Sequence, residues 1–401
     1  MEHFAVVQSI IRAGLANDRD ELDKQILRLR ERLAGEGKTK EIAAIDRLRT
    51  SGTQSAEMTP SRVNVSRVHI GGERLAVEVN PPIDRETGAR LCTIDLHVPK
   101  LSPVYNKTIQ ETVEGLLQEW RSEEALRSVG VEPTRSLLIY GPPGSGKTLT
   151  AHYIASRLGL PLVTARIDGL ISSFLGTTAR NIANLFDFAN RYACVLLLDE
   201  FDALAKLRDD PHEIGEIKRV VNTLLQNLDL RRKHGITIAI TNHDRLLDPA
   251  VWRRFETQIH LSEPETEARE QMIARFLLPL KATLPTLRIF SYCLAGRSGS
   301  DLERICTAVK RTMALEGEGH DAPALFRGLS TVLARMPMHD HLPARILAAD
   351  KEAFISLIAN DQDMLMKQTD IGEATGYVQS RISEFKKMKR HLPLSEGSHA
   401  E

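Results

Sequence analysis

The sequence predicts an α/β fold with a parallel sheet flanked by helices, because three apolar runs of strand length each lead into polar or Gly-rich residues. The first run, 137–140, leads into the segment 141–148, which reads G-P-P-G-S-G-K-T. The second, 194–198, ends in two carboxylates, and the third, 236–240, is followed by Thr241 and Asn242. Open α/β sheets bind ligands at the carboxyl ends of their strands, so these polar groups are expected to lie together.

The Gly-rich segment fits the G-x-x-x-x-G-K-[ST] phosphate loop, and it precedes a helical pattern at 149–158, which is the context that this motif needs. Glycines permit close backbone approach, and a helix N-terminus favours phosphate. Lys147 is predicted to reach the β- and γ-phosphates of ATP, and Thr148 and Asp199 are predicted to hold Mg²⁺. The predicted nucleotide-binding residues are Gly141, Pro142, Pro143, Gly144, Ser145, Gly146, Lys147, Thr148, Leu149 and Asp199.

Four further residues are candidates for the chemistry of phosphoryl transfer. Glu200 follows Asp199 and is predicted to orient or deprotonate an attacking water. Asn242 is predicted to face the γ-phosphate or that water. The adjacent Arg253 and Arg254, called the arginine pair below, supply guanidinium groups suited to the charge on a transferring phosphoryl group.

The order of phosphate loop, Asp-Glu strand, Asn-ended strand and arginine pair resembles the AAA clade of the AAA+ ATPases over roughly residues 105–312. The resemblance implies a helical lid beside the sheet and a ring, usually a hexamer, in which the arginine pair of one subunit reaches its neighbour's nucleotide. The pair lacks the commoner Pro-Gly spacer, so which arginine acts as the finger stays open. Gly299 and Ser300 match a lid helix start that approaches nucleotide, although the local sequence, including Asp301, also fits an ordinary N-cap.

Phe174, Leu175 and Gly176 lie between a predicted strand at 162–167 and a helix expected to begin near Ala179. Similar AAA rings that thread proteins carry an aromatic, an apolar residue and a glycine here, on a loop facing the central pore. An aromatic side chain can grip extended polypeptide without regard to its sequence. The alternative is a surface loop whose Phe folds back into the core.

Residues 368–385 have the layout of a helix-turn-helix and resemble phage-repressor-type units, with Gly372 allowing close crossing and Gly376 supplying the turn. Residues 366–390 hold six basic and three acidic side chains, which favours duplex DNA mildly. The alternative is a protein-docking hairpin. The predicted core consists of Ile371, Ile382 and Phe385, and the predicted DNA contacts are Gln379, Ser380, Arg381, Lys386 and Lys387.

The overall arrangement, including segments 168–171 and 215–220, more weakly resembles bacterial AAA ATPases paired with a subtilisin-like serine protease in phage defence or plasmid incompatibility. The resemblance implies a protease partner, and the chain itself contains no H-E-x-x-H or G-x-S-x-G motif. Two functions are therefore considered: a ring that remodels or unfolds polypeptide, and a DNA-acting ATPase in plasmid or phage replication control or transcription. The two can coexist, with DNA as the sensor that recruits or regulates the ring and a polypeptide as the threaded substrate. A scaffold that uses nucleotide only for assembly is disfavoured by the complete set of catalytic candidates.

Composition excludes several other classes. The 401 residues include 53 basic and 53 acidic side chains, so no global charge favours nucleic acid or anionic membrane. The four cysteines show no C-x-x-C spacing, which indicates free thiols in a reducing compartment. No apolar run approaches bilayer-spanning length and no signal peptide is recognisable, so we expect a cytoplasmic protein without a membrane partner.

Composition shifts and breaker residues divide the chain into six predicted segments. These are a helical N-terminal module at 1–50, a linker at 51–62, a small β-leaning segment at 63–100, a large α/β subdomain at 101–262, a helical lid at 263–315, and a helical C-terminal region at 316–401 with its helix-turn-helix near 366–388.

Overall fold

The computed structural model of the chain divides into two compact units, Met1–Arg67 and Val68–Glu401. In the first unit, the structure describes only isolated helical residues, namely Lys24, Arg28, Leu29, Leu33 and Gly35. In the second unit, it describes residues 72–76, 78–98, 102–171, 175–203, 214–247, 249–317, 319, 321–336, 341–362, 364 and 366–387. The predicted linker at 51–62 and most of the predicted module at 1–50 lie outside the described residues.

A six-stranded sheet in the order β1-β3-β4-β5-β2-β6 forms the centre of the second unit. β1 runs antiparallel to β3, and the other neighbours are parallel, which confirms the predicted α/β class. The edge strand β1 comes from the segment predicted as β-leaning. The strands are β1 Cys92–Asp95, β2 Ser136–Tyr140, β3 Leu162–Ala165, β4 Val195–Leu198, β5 Ile236–Thr241 and β6 Thr257–His260.

Helices cover both faces of this sheet. Every residue of β4 and β5 is buried, including Thr237 and Thr241, as expected for parallel strands packed on both sides. The helices of this part are α1 Lys107–Arg121, α2 Glu123–Ser128, α3 Lys147–Leu158, α4 Ile167–Leu170, α5 Leu175–Arg191, α6 Ile214–Arg231 and α7 Pro249–Trp252.

Three predicted boundaries in the sheet region differ from the structure. The helix expected at 149–158 begins at Lys147, and the strand expected at 162–167 ends at Ala165 because Ile167 begins helix α4. The helix expected near Ala179 already begins at Leu175.

The remaining helices share one hydrophobic core that runs from the predicted lid through the C-terminal region. Phe290 and Ile305 of the lid and Phe354, Ile371 and Ile382 of the C-terminal region all belong to it, and each is at most 1% exposed. The helices are α8 Thr266–Leu277, α9 Leu284–Cys293, α10 Gly299–Glu316, α11 Ala322–Ala334, α12 Leu342–Ala349, α13 Lys351–Asn360, α14 Gln368–Thr375 and α15 Gln379–Lys387.

The last two helices, α14 and α15, meet at a tight turn. Gly376 adopts φ 79°, which favours glycine, and a Cβ on Gly372 would lie 3.0 Å from the carbonyl oxygen of Tyr377. The three residues predicted to form the core of this pair, Ile371, Ile382 and Phe385, are buried. The small residues therefore stand where close backbone approach requires them.

None of the helices that the structure describes is both long enough and apolar enough to span a membrane.

Ile382→Ala tests the continuity of the core. Ile382 is fully buried, so its truncation should cost about 2–5 kcal/mol in the free energy of unfolding. Because the core is continuous, hydrogen exchange should accelerate in lid helices α8–α10 as well as in α14 and α15. The exposed Ser380→Ala serves as the control and should leave exchange unchanged. Faster exchange confined to α14 and α15 would show that the lid is a separate cooperative unit.

Candidate functional site

The phosphate loop wraps around its own lysine. The ammonium nitrogen of Lys147 donates hydrogen bonds to the carbonyl oxygens of Gly141 at 2.9 Å and Pro142 at 2.8 Å. Gly144 and Gly146 adopt φ values of 75° and 93°, in the left-handed region that favours glycine. A Cβ on Gly141 would lie 2.2 Å from the carbonyl oxygen of Leu261, so a side chain is excluded there too.

Lys147 holds its charge in a largely buried position. Burial lowers the pKa of its ammonium group below the ordinary value, while the nearby carboxylates of Asp199 and Asp202 act in the opposite direction. A buried cation at the N-terminus of helix α3 is suited to anionic phosphate oxygens.

Two observations fit a magnesium nucleotide at this loop. The hydroxyl oxygen of Ser145 is buried without a hydrogen-bond partner in the structure, which leaves it available to a ligand. The hydroxyl of Thr148 donates to a carboxylate oxygen of Asp199 at 3.0 Å, so two oxygen ligands suited to Mg²⁺ lie side by side. Within the described residues, no group of three or more His, Cys, Asp or Glu is arranged to hold a metal. Thr148 and Asp199 thus suit an ion that takes its other ligands from phosphate and water.

Glu200 has the one positive φ among the described non-glycine residues, at 51°. Its backbone N–H donates to the Asp199 carboxylate at 2.9 Å, and its carbonyl accepts from Ala203 at 2.9 Å. Backbone strain of this kind gathers at functional sites when the surroundings enforce it. The turn keeps both carboxylates at the carboxyl end of β4.

A cavity of about 830 Å³ joins the phosphate loop to the lid. The lid meets the loop directly, because the N–H of Ser300 donates to the carbonyl of Gly144 at 3.1 Å, and a Cβ on Gly299 would lie 3.4 Å from that oxygen. Of the residues predicted for nucleotide binding and hydrolysis, all but Gly141, Pro142 and the arginine pair line this cavity, namely Pro143, Gly144, Ser145, Gly146, Lys147, Thr148, Leu149, Asp199, Glu200, Asn242, Gly299 and Ser300.

The start of α10 is also an ordinary capped helix. The N-cap is Ser298, whose hydroxyl oxygen accepts from the N–H of Asp301 at 3.3 Å and donates to the Asp301 carboxylate at 2.8 Å. The two interpretations of this segment are therefore compatible, since the cap fixes the helix end that carries Ser300 to the phosphate loop.

Several residues that line the cavity carry no sequence motif. These residues include Tyr105, Met272, Phe276, Thr307 and Lys310. The Tyr105 hydroxyl donates to the Thr150 hydroxyl at 3.1 Å, which ties Tyr105 to α3. Only tertiary packing brings these residues to the site, so no local pattern could have identified them.

The arginine pair does not line the cavity of its own chain. Arg253 is exposed. The Nε atom of Arg254 lies 3.0 Å from an Asp229 carboxylate oxygen, an ion pair without hydrogen-bond geometry, and the Arg254 side chain remains 40% exposed. Both arginine side chains are therefore at least partly exposed, although the Nε atom of Arg254 is buried, and neither lines this chain's nucleotide cavity.

The predicted pore loop falls mostly outside the described residues, which exclude Phe174 and the side chain of Leu175. Gly176 is exposed in the first turn of α5. Thr177 follows it and is buried, and its hydroxyl donates to a Glu86 carboxylate oxygen at 2.8 Å.

The residues predicted to contact DNA are all exposed, namely Gln379, Ser380, Arg381, Lys386 and Lys387. Arg381 also meets carboxylates, with Glu384 at 3.0 Å and Glu352 at 3.9 Å, and its guanidinium lies 5.1 Å from the Phe385 ring centroid. The positive charge at this surface is therefore partly compensated.

The fold and the site define a nucleotide-binding P-loop domain of the α/β class with a helical lid. Comparison with known families agrees, because residues 137–263 match the family described as "ATPase family associated with various cellular activities (AAA)". This part of the chain is therefore similar to AAA ATPase domains.

Known relatives match about half of the chain. An uncharacterized AAA family ATPase of Sinorhizobium fredii is 44% identical over 205 residues, which cover 50% of this chain and 61% of that protein. The proteasome-activating nucleotidase of Thermococcus kodakarensis is 32% identical, with 50% and 52% covered. A cell division cycle protein 48 homolog of Archaeoglobus fulgidus is 31% identical, with 49% and 28% covered. The chain therefore spans less than two thirds of the length of each of these relatives.

Gly144→Ala tests the contact between loop and lid. A Cβ at Gly144 would lie 2.0 Å from the Ser300 hydroxyl oxygen, so the lid must move away and the affinity for ATP should fall at least about tenfold, or ~1.4 kcal/mol. Binding of a fluorescent ATP analogue measures this change. The matched control is Gly159→Ala, at φ 67° with nothing within 4 Å of its Cβ, which should affect stability but not affinity.

A second substitution separates the clash from backbone strain at Gly144. Adding Ser300→Gly removes the nearest atom that the new Cβ would meet and leaves the Ser298 hydroxyl oxygen at 2.9 Å, so part of the affinity should return. Equal loss of affinity in Gly144→Ala and Gly159→Ala would contradict a role for the loop–lid contact.

Proposed function

We propose that the chain hydrolyses ATP as a ring, a hexamer by family resemblance, and uses the energy to remodel or unfold a polypeptide. The observation that carries the proposal is the single cavity in which Lys147, Thr148, Asp199, Glu200 and Asn242 meet the lid. A lid hydrogen-bonded to the phosphate loop is suited to move with nucleotide state, which is how such sites perform mechanical work.

The residues have separate roles in hydrolysis. The phosphate loop and Lys147 bind the β- and γ-phosphates, and Thr148 and Asp199 hold Mg²⁺, which when bound neutralises developing phosphate charge. The Glu200 carboxylate, at the cavity wall, accepts a proton from water or orients it. Asn242, in the same wall, positions water or the γ-phosphate.

The arginine pair serves a neighbouring protomer. Its place at the surface, outside its own cavity, supports this role, because a guanidinium that stabilises phosphoryl charge must reach a nucleotide. Each active site then needs two protomers, and a head-to-tail interface that closes makes a ring.

Two things support polypeptide as the substrate. Phe174, Leu175 and Gly176 match the aromatic loop of protein-threading rings, and the relatives include a proteasome-activating nucleotidase. A separate protease, of the subtilisin-like serine class by resemblance, is the proposed partner, and the four buried cysteine thiols suit a reducing cytoplasm.

The second candidate is an ATPase that duplex DNA recruits or regulates, with a role in plasmid or phage replication control or transcription. The exposed start of α15, with Gln379 and Ser380 after a tight glycine turn, favours it. The carboxylates around Arg381 weaken it, since phosphate binding depends on net positive charge.

Mixing two inactive variants tests whether the arginines act between protomers. Glu200→Gln should bind ATP and hydrolyse it slowly, and replacing both arginines by Ala should leave ATP binding intact while abolishing turnover. In a mixture, an intact Glu200 can meet an intact arginine pair across an interface, so ATPase activity should return to a measurable fraction of wild type. Lys147→Ala mixed with Glu200→Gln is the control and should stay inactive, because neither variant supplies a competent nucleotide site. Activity absent from the first mixture, or native mass spectrometry that finds only monomers, would refute the ring.

Affinity capture identifies what the ring acts on. Glu200→Gln with ATP should retain polypeptide substrate, and any protease partner, from native extract because slow hydrolysis delays release. Adding Phe174→Ala should lose the substrate while leaving basal ATPase unchanged. Recovery of specific duplex DNA with no polypeptide, and turnover that this DNA stimulates, would favour the second candidate. Equal recovery of polypeptide with Phe174 and with Ala at this position would overturn the pore-loop role.

A further inference from the structure

Two edge-to-face aromatic pairs bracket the arginine pair. Trp252 directly precedes the arginine pair, and Phe255 directly follows it. The Trp252 ring meets Tyr140 with centroids 5.1 Å apart and planes at 66°, and the Phe255 ring meets Phe201 at 5.7 Å and 89°. These four rings are called the aromatic bracket below.

One residue of each pair, Tyr140 or Phe201, is adjacent in sequence to a residue of the nucleotide site. Tyr140 ends β2 and precedes Gly141, the first residue of the phosphate loop, while Phe201 follows Glu200. Each pair therefore links an element that binds or hydrolyses nucleotide to a residue adjacent in sequence to an arginine.

Burial makes the Phe201–Phe255 pair a stiff connection. Phe201 is 1% exposed and Phe255 is 3% exposed, and both belong to the core on one face of the sheet. The N–H of Phe201 also donates to the carbonyl of Ile240 at 2.8 Å. Close-packed interiors transmit displacements because they contain few voids that could absorb them. A shift of the strained Glu200 turn must therefore reach Phe255.

The backbone of the arginine pair is held to the start of β2. The Ser136 hydroxyl donates to the carbonyl of Arg254 at 3.0 Å, and the Glu256 carboxylate accepts from the N–H groups of Arg135 at 2.6 Å and Ser136 at 3.2 Å. Both ends of β2 thus contact residues in or next to the arginine pair. Ser136 at the start does so through these hydrogen bonds, and Tyr140 at the end does so through the ring of Trp252. Both arginine side chains remain at least partly exposed.

We propose that the aromatic bracket transmits the nucleotide state of a protomer to its own arginine pair and so sets the hydrolysis rate of the neighbour. This inference rests on the proposed function, in which the arginine pair acts on the neighbouring nucleotide. The four aromatic residues are positioning residues, because none of them lines the nucleotide cavity.

Rings doped with an inactive protomer provide the test. Wild-type protein is mixed with increasing fractions of the Glu200→Gln chain, and total ATPase activity is plotted against the fraction of wild-type protomers. The Glu200→Gln protomer retains ATP, so coupling should lower the hydrolysis rate of its neighbour. At equal amounts of the two proteins, total activity should then lie about twofold below a linear dependence on the wild-type fraction, as for pairwise dependence in a ring. A dopant that carries both Glu200→Gln and Phe255→Leu should return total activity to a linear dependence on the wild-type fraction.

Phe186→Leu in the same Glu200→Gln dopant is the matched control. Phe186 is fully buried in the same core and lies outside the bracket, so this dopant should depress activity as steeply as Glu200→Gln alone. ATP affinity and Tm of the two double variants should agree, which separates coupling from simple destabilisation.

The outcomes distinguish the inference from the function on which it rests. Equally steep depression with and without Phe255→Leu, or a linear line with Glu200→Gln alone, would overturn transmission through the bracket. The arginine mixing experiment decides independently whether the pair acts between protomers. If the mixed variants regain ATPase activity but the doped rings show a linear dependence, the result supports the ring and contradicts coupling through the aromatic bracket.

Discussion

The close approach of Gly144 to Ser300 is the constraint on which the site depends. The lid N–H bonds to the loop carbonyl at 3.1 Å, and even one methyl group on Gly144 would collide with the Ser300 side chain. Position 144 of the loop therefore favours glycine, both for its φ of 75° and for the short distance to Ser300. Ser298 fixes the beginning of α10 by capping it, so a local capping interaction determines how a whole subdomain faces the nucleotide.

A second constraint concerns charge at the loop. Lys147 sits among backbone carbonyls with Asp199 and Asp202 nearby, so its cation is partly desolvated but compensated. Phosphate would replace weak carbonyl partners by strong anionic ones. The unpaired hydroxyl of Ser145 and the adjacent oxygens of Thr148 and Asp199 are further polar groups of this pocket that suit a magnesium nucleotide.

Local patterns predicted the parts of this molecule that depend on local physics. The buried runs became β2, β4 and β5, and their polar ends gathered at one edge because parallel strands share it. Helix α5 begins at Leu175, earlier than predicted. Its first turn includes Thr177, which is polar in sequence but buried, with a hydrogen bond to Glu86, a residue distant in sequence. The cavity wall formed by Tyr105, Met272 and Phe276 could not have been predicted either, since only packing brings those residues to the nucleotide site. Which arginine is the finger, and what the pore loop holds, stay predictions.

The continuous core of α8–α15 bears on how the chain could be divided. The boundary predicted at 315/316 stays a prediction, but Phe290 of the lid and Ile371 and Ile382 of the C-terminal helices belong to one apolar interior across it. Truncating the polypeptide there would uncover the lid's apolar face to water and invite aggregation. Grafting the last two helices onto an unrelated scaffold would strip them of the neighbours that bury their inner faces. The lid and the last two helices therefore have to stay together in any truncated or chimaeric form of the chain.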